Sequence, residues 1–405
     1  MGVAHAGGPH HRSCLARVVR DPDDFAAHAW GRQAVLSRAA DLPRSFADLL
    51  DQQAVDELVS RRGLRTPFLR VARAGSTLPE RDFTAGAGAG AGIADQVSDD
   101  LLVRLFADGA TLVLQGLHRL WSPLIDFSQG LAADLGHPVQ ANAYVTPPAN
   151  RGFAAHYDVH DVFVLQTHGR KRWQIHEPVH PSPLRDQPWD ARRTAVEDAA
   201  VAEPFLDEVL EPGDCLYLPR GWLHAATALG EVSTHVTVGV HTWTRHALAE
   251  QLLRSALADL AGDESLRGSL PLGVDVGSPA ELAGEVDAVR NALVRAVGAV
   301  GAERVTQDLQ AKARSAQRAA PMGPLAQHEA AAELVPGEQL VLRQHLLADV
   351  VQRGGGWLLV SRSGEVPLQA ADVEVVRNLL RAGQMQVQDV TLARRLVLAG
   401  VTIRR

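Results

Sequence analysis

The stretch Glu211-Pro-Gly-Asp-Cys-Leu-Tyr-Leu-Pro-Arg-Gly-Trp-Leu-His224, taken with His156-Tyr-Asp158 upstream of it, decides the reading of this chain. Pro212 and Gly213 make a turn that opens a short apolar strand. Pro219 and Gly221 close that strand and swing His224 back toward the interior. Residues i and i+2 of a strand share a face, so His156 and Asp158 can offer an imidazole and a carboxylate to one ion. Two histidines and one carboxylate form the ligand set of a non-haem iron site with open positions. Asp158 and His224 lie 66 residues apart, room for one excursion across a β-barrel. The pattern predicts a metal centre of His156, Asp158 and His224. The competing reading is a pair of buried, satisfied histidines beside a salt-bridged aspartate. Two other histidines compete as ligands: His160, which alternation puts on the face of Asp158, and His235 in Ser233-Thr-His-Val-Thr237. His224 is preferred because only it carries the Pro/Gly punctuation that aims it, which leaves His235 as a pocket residue or one behind a ligand. His168, His176 and His180 read as turn and surface residues.

Working outward, residues 111–240 show short strands punctuated by Gly and Pro. Strands are expected at 111–115, 141–145, 162–166, 172–175, 215–218 and 234–240, with His168-Gly169-Arg170 as a hairpin turn between two of them. This cadence is that of an all-β barrel or jelly roll. Cys215 falls within an apolar strand and reads as a small core residue.

The flanks differ. Before residue 80 the pattern is helix-like, and Ser45-Phe-Ala-Asp48 leading into Leu49-Leu50 predicts a helix start. Thr84-Ala-Gly-Ala-Gly-Ala-Gly-Ala-Gly-Ile93 reads as a flexible surface loop, with a lid over the site as the sharper alternative. No Gly-Lys-Ser/Thr follows it, so it is not a phosphate loop. After Arg245 the period becomes helical. Leu248, Leu252, Ala256 and Leu260 share one face, and Ser278-Pro-Ala-Glu281 opens a helix carrying Leu282, Val286, Val289, Leu293 and Val297. A third helix is expected over 302–316 and a linker at 320–324. Beyond it, a helix at 338–351, an apolar run at 357–360 and helices near 371–381 and 389–398 suggest a winged-helix-like unit. From Val341 to Arg405 nine Arg stand against five Asp or Glu. That excess is too weak for a clustered phosphate-binding face, so a structural or partner-binding role is expected.

The 405 residues allow two or three domains, and a net charge of −7 argues against a whole-protein nucleic-acid footprint. No apolar run is long enough to span a membrane, and residues 1–20 lack the apolar core of a secretory signal. Two cysteines cannot build a disulfide framework, which points to a soluble protein of the cytoplasm.

Three stretches carry a family resemblance: Asn142-Ala-Tyr144-Val-Thr-Pro-Pro148, then Gly152-Phe-x-x-His156-Tyr-Asp158-x-His-Asp161-Val-Phe-x-Leu-Gln166, then Gly169-Arg-Lys171-Arg-Trp173. They resemble the JmjC-type ribosomal oxygenases, cupin-fold protein hydroxylases that depend on Fe(II), 2-oxoglutarate and O2. Pro212 to His224 resembles the second cupin motif of that family. The likeness is specific over residues 100–245, and the layout is similar across nearly the whole chain. It implies a mixed α and β fold: a double-stranded β-helix (jelly-roll, cupin) catalytic domain with N-terminal helical elements at 1–245, a helical dimerisation region at 246–320 and a winged-helix-like domain at 325–405. It implies that His156, Asp158 and His224 bind the iron and that Lys171 pairs with the distal carboxylate of 2-oxoglutarate. Asn142, Tyr144 and Thr237 match polar residues lining that pocket. Lysine at 171, rather than arginine, fits the relatives of human type and differs from some bacterial ones. The implied substrate is an Arg or His of a ribosomal protein, and the implied assembly a homodimer, with no nucleic acid bound directly. Two other classes remain open: a metal-binding cupin that does not use 2-oxoglutarate, and a non-catalytic dimeric scaffold that holds a peptide or nucleic acid.

Overall fold

The computed structural model describes residues 12–73, 75–86, 88, 92–148 and 154–405. They divide into a unit ending at Thr242 and a unit from Trp243 to Arg405. Part of the Gly-Ala stretch and the Gly152-Phe153 pair lie outside the described residues.

The first unit carries β1 (Val35–Ser37), β2 (Leu69–Arg73), β3 (Ser76–Thr77), β4 (Thr111–Leu114), β5 (Val139–Thr146) and β6 (Asp161–His168). It continues with β7 (Lys171–His176), β8 (Leu206–Leu210), β9 (Cys215–Leu218), β10 (Leu223–Ala228) and β11 (Ser233–Val240). A major antiparallel sheet has the order β1-β9-β6-β11-β5-β4-β2-β3, and a minor one the order β8-β7-β10. This is the expected jelly-roll in a mixed α and β chain.

The β6 sequence Asp-Val-Phe-Val-Leu-Gln-Thr-His is nearly all apolar at its centre because both of its faces are covered. Val162 and Val164 pack with Trp173, Ile175 and Leu210 of the minor sheet. Phe163 and Leu165 join a second core with Leu124, Phe127 and Leu131 of the helix Ser122–Leu135. In β5 the alternation has a functional result. Val139, Ala141, Ala143 and Val145 enter that helix-side core, so Asn142, Tyr144 and Thr146 face the other way, into the barrel.

Two local expectations fail here. His168-Gly169-Arg170 is a tight turn, but β6 and β7 do not pair: the turn is a corner that takes the chain from the major to the minor sheet. Gly169 has φ +60°, and a Cβ there would meet the Val232 carbonyl oxygen at 2.1 Å. Ser45 opens no helix. Phe46, Leu49 and Leu50 are buried in a turn, and Asp48 is taken by Arg17 at 2.7 Å. The helix α1 (Gln52–Arg61) begins after Asp51, whose carboxylate accepts the Ala54 N–H at 2.7 Å.

The second unit opens with α2 (Arg245–Leu260), α3 (Pro279–Ala299) and α4 (Ala302–Ala316), at the expected places. Ser278 caps α3 as read from its motif, at 3.4 Å from the Glu281 N–H. On α2 the expected face is turned inward at Ala256, which is buried, and at Leu252 and Leu260, which are half-buried, while polar residues beside it are buried as well. Gln251, Ser255 and Ala256 are buried, and Gln251 and Ser255 both donate to Asp308 of α4, at 2.7 and 3.2 Å. Of the expected face only Leu248 stays exposed. The helix expected at 338–351 is absent. A helix α5 (Pro324–Glu333) precedes it, and β12 (Gln339–Leu342) and β13 (Asp349–Arg353) occupy the span. Paired valines favour strands there, and positive φ at His345 and Leu347 breaks any helix between them. Strands β14 (Gly356–Ser361) and β15 (Gly364–Leu368) continue the β13 sheet, followed by α6 (Asp372–Ala382) and α7 (Val390–Leu398) as read from the sequence.

Candidate metal centre

His156 and His224 meet through a pair of backbone hydrogen bonds. His156 N–H donates to the His224 carbonyl at 3.3 Å and His224 N–H to that of His156 at 2.9 Å. This bridge lies at the mouth between the sheets and sets the imidazole centroids 4.4 Å apart. Asp158 joins them, its Oδ2 3.7 Å from His224 Nε2. One ligand atom from each of the three lies within 4.8 Å of the others.

Both imidazoles are oriented from behind. His156 Nδ1 sits 2.8 Å from the Ala154 carbonyl and His224 Nδ1 3.1 Å from that of Trp222. A ring that donates from Nδ1 carries its lone pair on Nε2, the arrangement of metal-ligating histidines. Electrostatics agrees. Burial and the neighbouring His156 push His224 down to about 4, so it is neutral near pH 7. Burial alone would raise the Asp158 carboxyl, but the His160, His224 and His156 rings outweigh it and hold it below its usual value. A neutral His224 beside an ionised Asp158 suits a divalent cation.

His224 stands on β10, a strand not read from the sequence. The punctuation that aims it works as read: Gly221 has φ +91°, and a Cβ there would lie 2.7 Å from the His180 carbonyl oxygen. His160 and His235 stay outside the ligand cluster. His176 is buried, not a surface residue.

The pocket behind the triad is lined by Tyr144, Thr146, Lys171, Trp173, His235 and Thr237, with Thr111 at its end. Register explains this gathering. Tyr144 faces His235 across the β5–β11 ladder, and their rings stack at 5.0 Å and 4°. In β7, Lys171 and Trp173 alternate inward while Arg172 and Gln174 point out. Asn142 shares the face of Tyr144 but is not among the lining residues. Its Oδ1 accepts the Gly116 N–H at 3.0 Å and so holds a neighbouring loop.

Lys171 is 2 % exposed. Its Nζ donates to Thr146 Oγ1 at 3.2 Å, and that hydroxyl lies 3.3 Å from Thr111 Oγ1. Among the described residues no carboxylate pairs with it. Sequence reasoning missed Thr146 and Thr111; the inward alternation from Tyr144 would have found Thr146. Burial drives the ammonium down to about 7. Burial, then Lys171 and His224, keep His235 neutral. His235 Nδ1 and Trp173 Nε1 are buried with no hydrogen-bond partner among the described residues. A buried cation without a counter-ion beside orphaned polar atoms fits an anionic ligand with acceptor oxygens.

This yields a pH prediction. A carboxylate beside Lys171 favours the charged ammonium and raises its pKa in the complex. Dicarboxylate affinity is therefore flat below pH 7 and falls by about tenfold per pH unit above it. Titrating 2-oxoglutarate into the Co(II)-loaded protein between pH 6 and 9 measures this; a constant Kd contradicts it.

Comparison with known proteins agrees with this geometry. Residues 127–248 match the family model described as a JmjC domain. "Bifunctional lysine-specific demethylase and histidyl-hydroxylase NO66" of Drosophila willistoni is 32% identical over 256 residues, 62% of this chain and 32% of that protein. "Ribosomal oxygenase 1" of Gallus gallus is 31% identical over 257 residues, 62% of this chain and 40% of that one. This chain thus spans only about a third of the length of such curated relatives. Among solved structures, the Escherichia coli ribosomal oxygenase YcfD aligns over 96% of this chain and 99% of its own, with a TM-score of 0.53 and 18% identity. A second structure of YcfD, in complex with cobalt and 2-oxoglutarate, aligns with a TM-score of 0.52. Residues 127–248 thus carry a JmjC domain, and the chain as a whole is similar in sequence and fold to ribosomal oxygenases.

Proposed function

We propose that this protein is an Fe(II)- and 2-oxoglutarate-dependent oxygenase that hydroxylates an arginine or histidine side chain of a ribosomal protein. The observation that carries the reading is the buried Lys171, without a carboxylate partner among the described residues, in one pocket with the His156, Asp158 and His224 cluster. His156, Asp158 and His224 hold the metal. Lys171, with Thr146, binds the distal carboxylate, and Tyr144 and Thr237 line the path between; Asn142 supports that wall from the loop it holds. When bound, iron with 2-oxoglutarate and O2 supplies oxidative decarboxylation to succinate and CO2, coupled to hydroxylation of an unactivated C–H bond. The chain's own contribution is to fix the two ends of the cosubstrate, keep the pocket dry and orient the metal ligands. Tyr144, which burial and then Asp158 push up to about 12, stays a neutral donor throughout. The protein substrate follows from the names its relatives carry, "histidyl-hydroxylase" and "Ribosomal oxygenase". Incubating ribosomes with the loaded enzyme and weighing each ribosomal protein tests it. The expected result is the gain of one oxygen on a single protein, lost in His156→Ala; succinate formation unaffected by any ribosomal protein contradicts it.

The second unit supports a homodimer. Leu270, Val286 and Val289 are 46%, 46% and 43% exposed and line an apolar groove with Leu282 and Leu293. Apolar side chains gathered this way favour a second copy over water. Sedimentation is expected to show a dimer that Val286→Glu with Val289→Glu converts to monomer; a monomeric wild type contradicts it. The C-terminal sheets and helices support a winged-helix-like unit with a partner-binding role. The two cysteines, both free, support a cytoplasmic location, and no helix among the described residues is long and apolar enough to cross a membrane.

A further inference from the structure

Asp161 is wholly buried, three residues after Asp158, and lies outside the ligand cluster. Its Oδ2 accepts the Tyr217 hydroxyl at 2.6 Å and its Oδ1 the Arg220 N–H at 3.1 Å. The Arg220 guanidinium lies 3.6 Å from Oδ1, and its Nη1 donates to Thr242 Oγ1 at 3.0 Å. Tyr217 in turn accepts the Gly31 N–H at 2.8 Å. Next to this clasp, Gly221 N–H donates to the Asp158 carbonyl at 3.0 Å. The Asp158 segment and the Pro219–Gly221 turn that carries His224 are therefore joined twice, once through backbone and once through a buried carboxylate.

We propose that Asp161 is a positioning residue that, through Tyr217 and Arg220, sets the separation of Asp158 from His224 and thereby the metal affinity of the centre. The inference rests on the metal-centre reading and goes beyond it. A buried carboxyl group is costly unless its oxygens are hydrogen-bonded. Here Oδ2 is bonded to Tyr217, on the strand leading into the turn, and Oδ1 to the backbone N–H of Arg220 within the turn that aims a ligand. Groups that orient ligands from behind typically change metal affinity by about 10–100-fold when altered.

The test is Co(II) titration followed by its visible d–d spectrum, with thermal melting in parallel. Asp161→Asn keeps the shape but replaces one acceptor oxygen with a donor. It is expected to bind Co(II) at least about tenfold more weakly and to shift the band. Tyr217→Phe, which removes one hydroxyl, is expected to show a smaller change in the same direction and covers the case in which Asp161→Asn does not fold. Asp161→Glu is expected to recover part of the affinity. A lowered melting temperature with wild-type Co(II) affinity and spectrum in the folded variants overturns the inference. Failure of the wild-type protein to bind Co(II) overturns the metal-centre reading itself, and this inference with it.

Discussion

Lys171→Met is expected to bind 2-oxoglutarate at least about thirtyfold more weakly than the wild-type chain, while its metal-free form melts at a higher temperature. The two effects share one cause. Lys171 is a buried ammonium whose partner among the described side chains is the Thr146 hydroxyl. Removing one partner of a buried charge-assisted pair costs roughly 2–5 kcal/mol of binding. Without the dicarboxylate, the same ammonium opposes folding. The unfolded chain holds the lysine proton up to about pH 10.4, whereas the folded chain holds it to about 7. The penalty is therefore full below pH 7 and disappears as pH rises from 7 toward 10. Methionine has similar length and no charge, and replacing a buried charge by an apolar side chain often stabilises by about 1–4 kcal/mol. Calorimetry of the metal-free proteins checks the sign: the variant's advantage should shrink between pH 7 and 10. A variant less stable than wild type at pH 7 contradicts the account, because Lys171 would then have a partner that satisfies its charge.

Asp158→Ala is expected to abolish metal-dependent turnover and metal-induced stabilisation together, with folding intact. Asp158 supplies the negative charge of the ligand set, and its carboxylate is held ionised by the rings around it. A ligand that binds only the folded state stabilises it by about 2.7 kcal/mol at a hundredfold excess over Kd. Wild-type protein should therefore melt several degrees higher in Co(II), and Asp158→Ala should melt unchanged. The backbone bridge between His156 and His224 does not involve the Asp158 side chain, so the mouth should keep its shape. An equal Co(II) response in both proteins would place the metal elsewhere.

Much of this was legible in the sequence because short-range rules govern it. Pro212-Gly213 and Pro219-x-Gly221 constrain backbone so tightly that the aim of His224 could be read directly. The alternation of His156 and Asp158 carried the rest of the triad. The central strands of the major sheet were legible because β6 reads as an apolar run and β11 alternates Val236, Val238 and Val240 with polar or small residues, whereas β1, β2 and β3 fall in the stretch before residue 80 that reads as helix-like. The minor sheet was less so. The β10 sequence Leu-His-Ala-Ala-Thr-Ala has small residues and no strong period, so its pairing with β7 fixes it as a strand. The corner at Gly169 looked like a hairpin because local turn chemistry is the same whether or not the flanking strands pair. Ser45 failed as a helix start because burial of Phe46, Leu49 and Leu50 outweighed a local capping pattern. The polar seam of Gln251, Ser255 and Asp308 was hidden because periodicity reports apolar faces only. The network around Lys171 was half visible: the resemblance supplied Lys171, but the threonines behind it depend on cross-strand register.

The central claim is that the triad and Lys171 form one site for a metal-chelated keto acid. Anaerobic addition of Fe(II) and 2-oxoglutarate to the purified protein tests it most directly, through the weak visible charge-transfer band of the chelate. The account predicts a band in wild type, weaker in Lys171→Ala at limiting 2-oxoglutarate and absent in His224→Ala. Iron bound without a band, or a band of full strength in both variants, contradicts it.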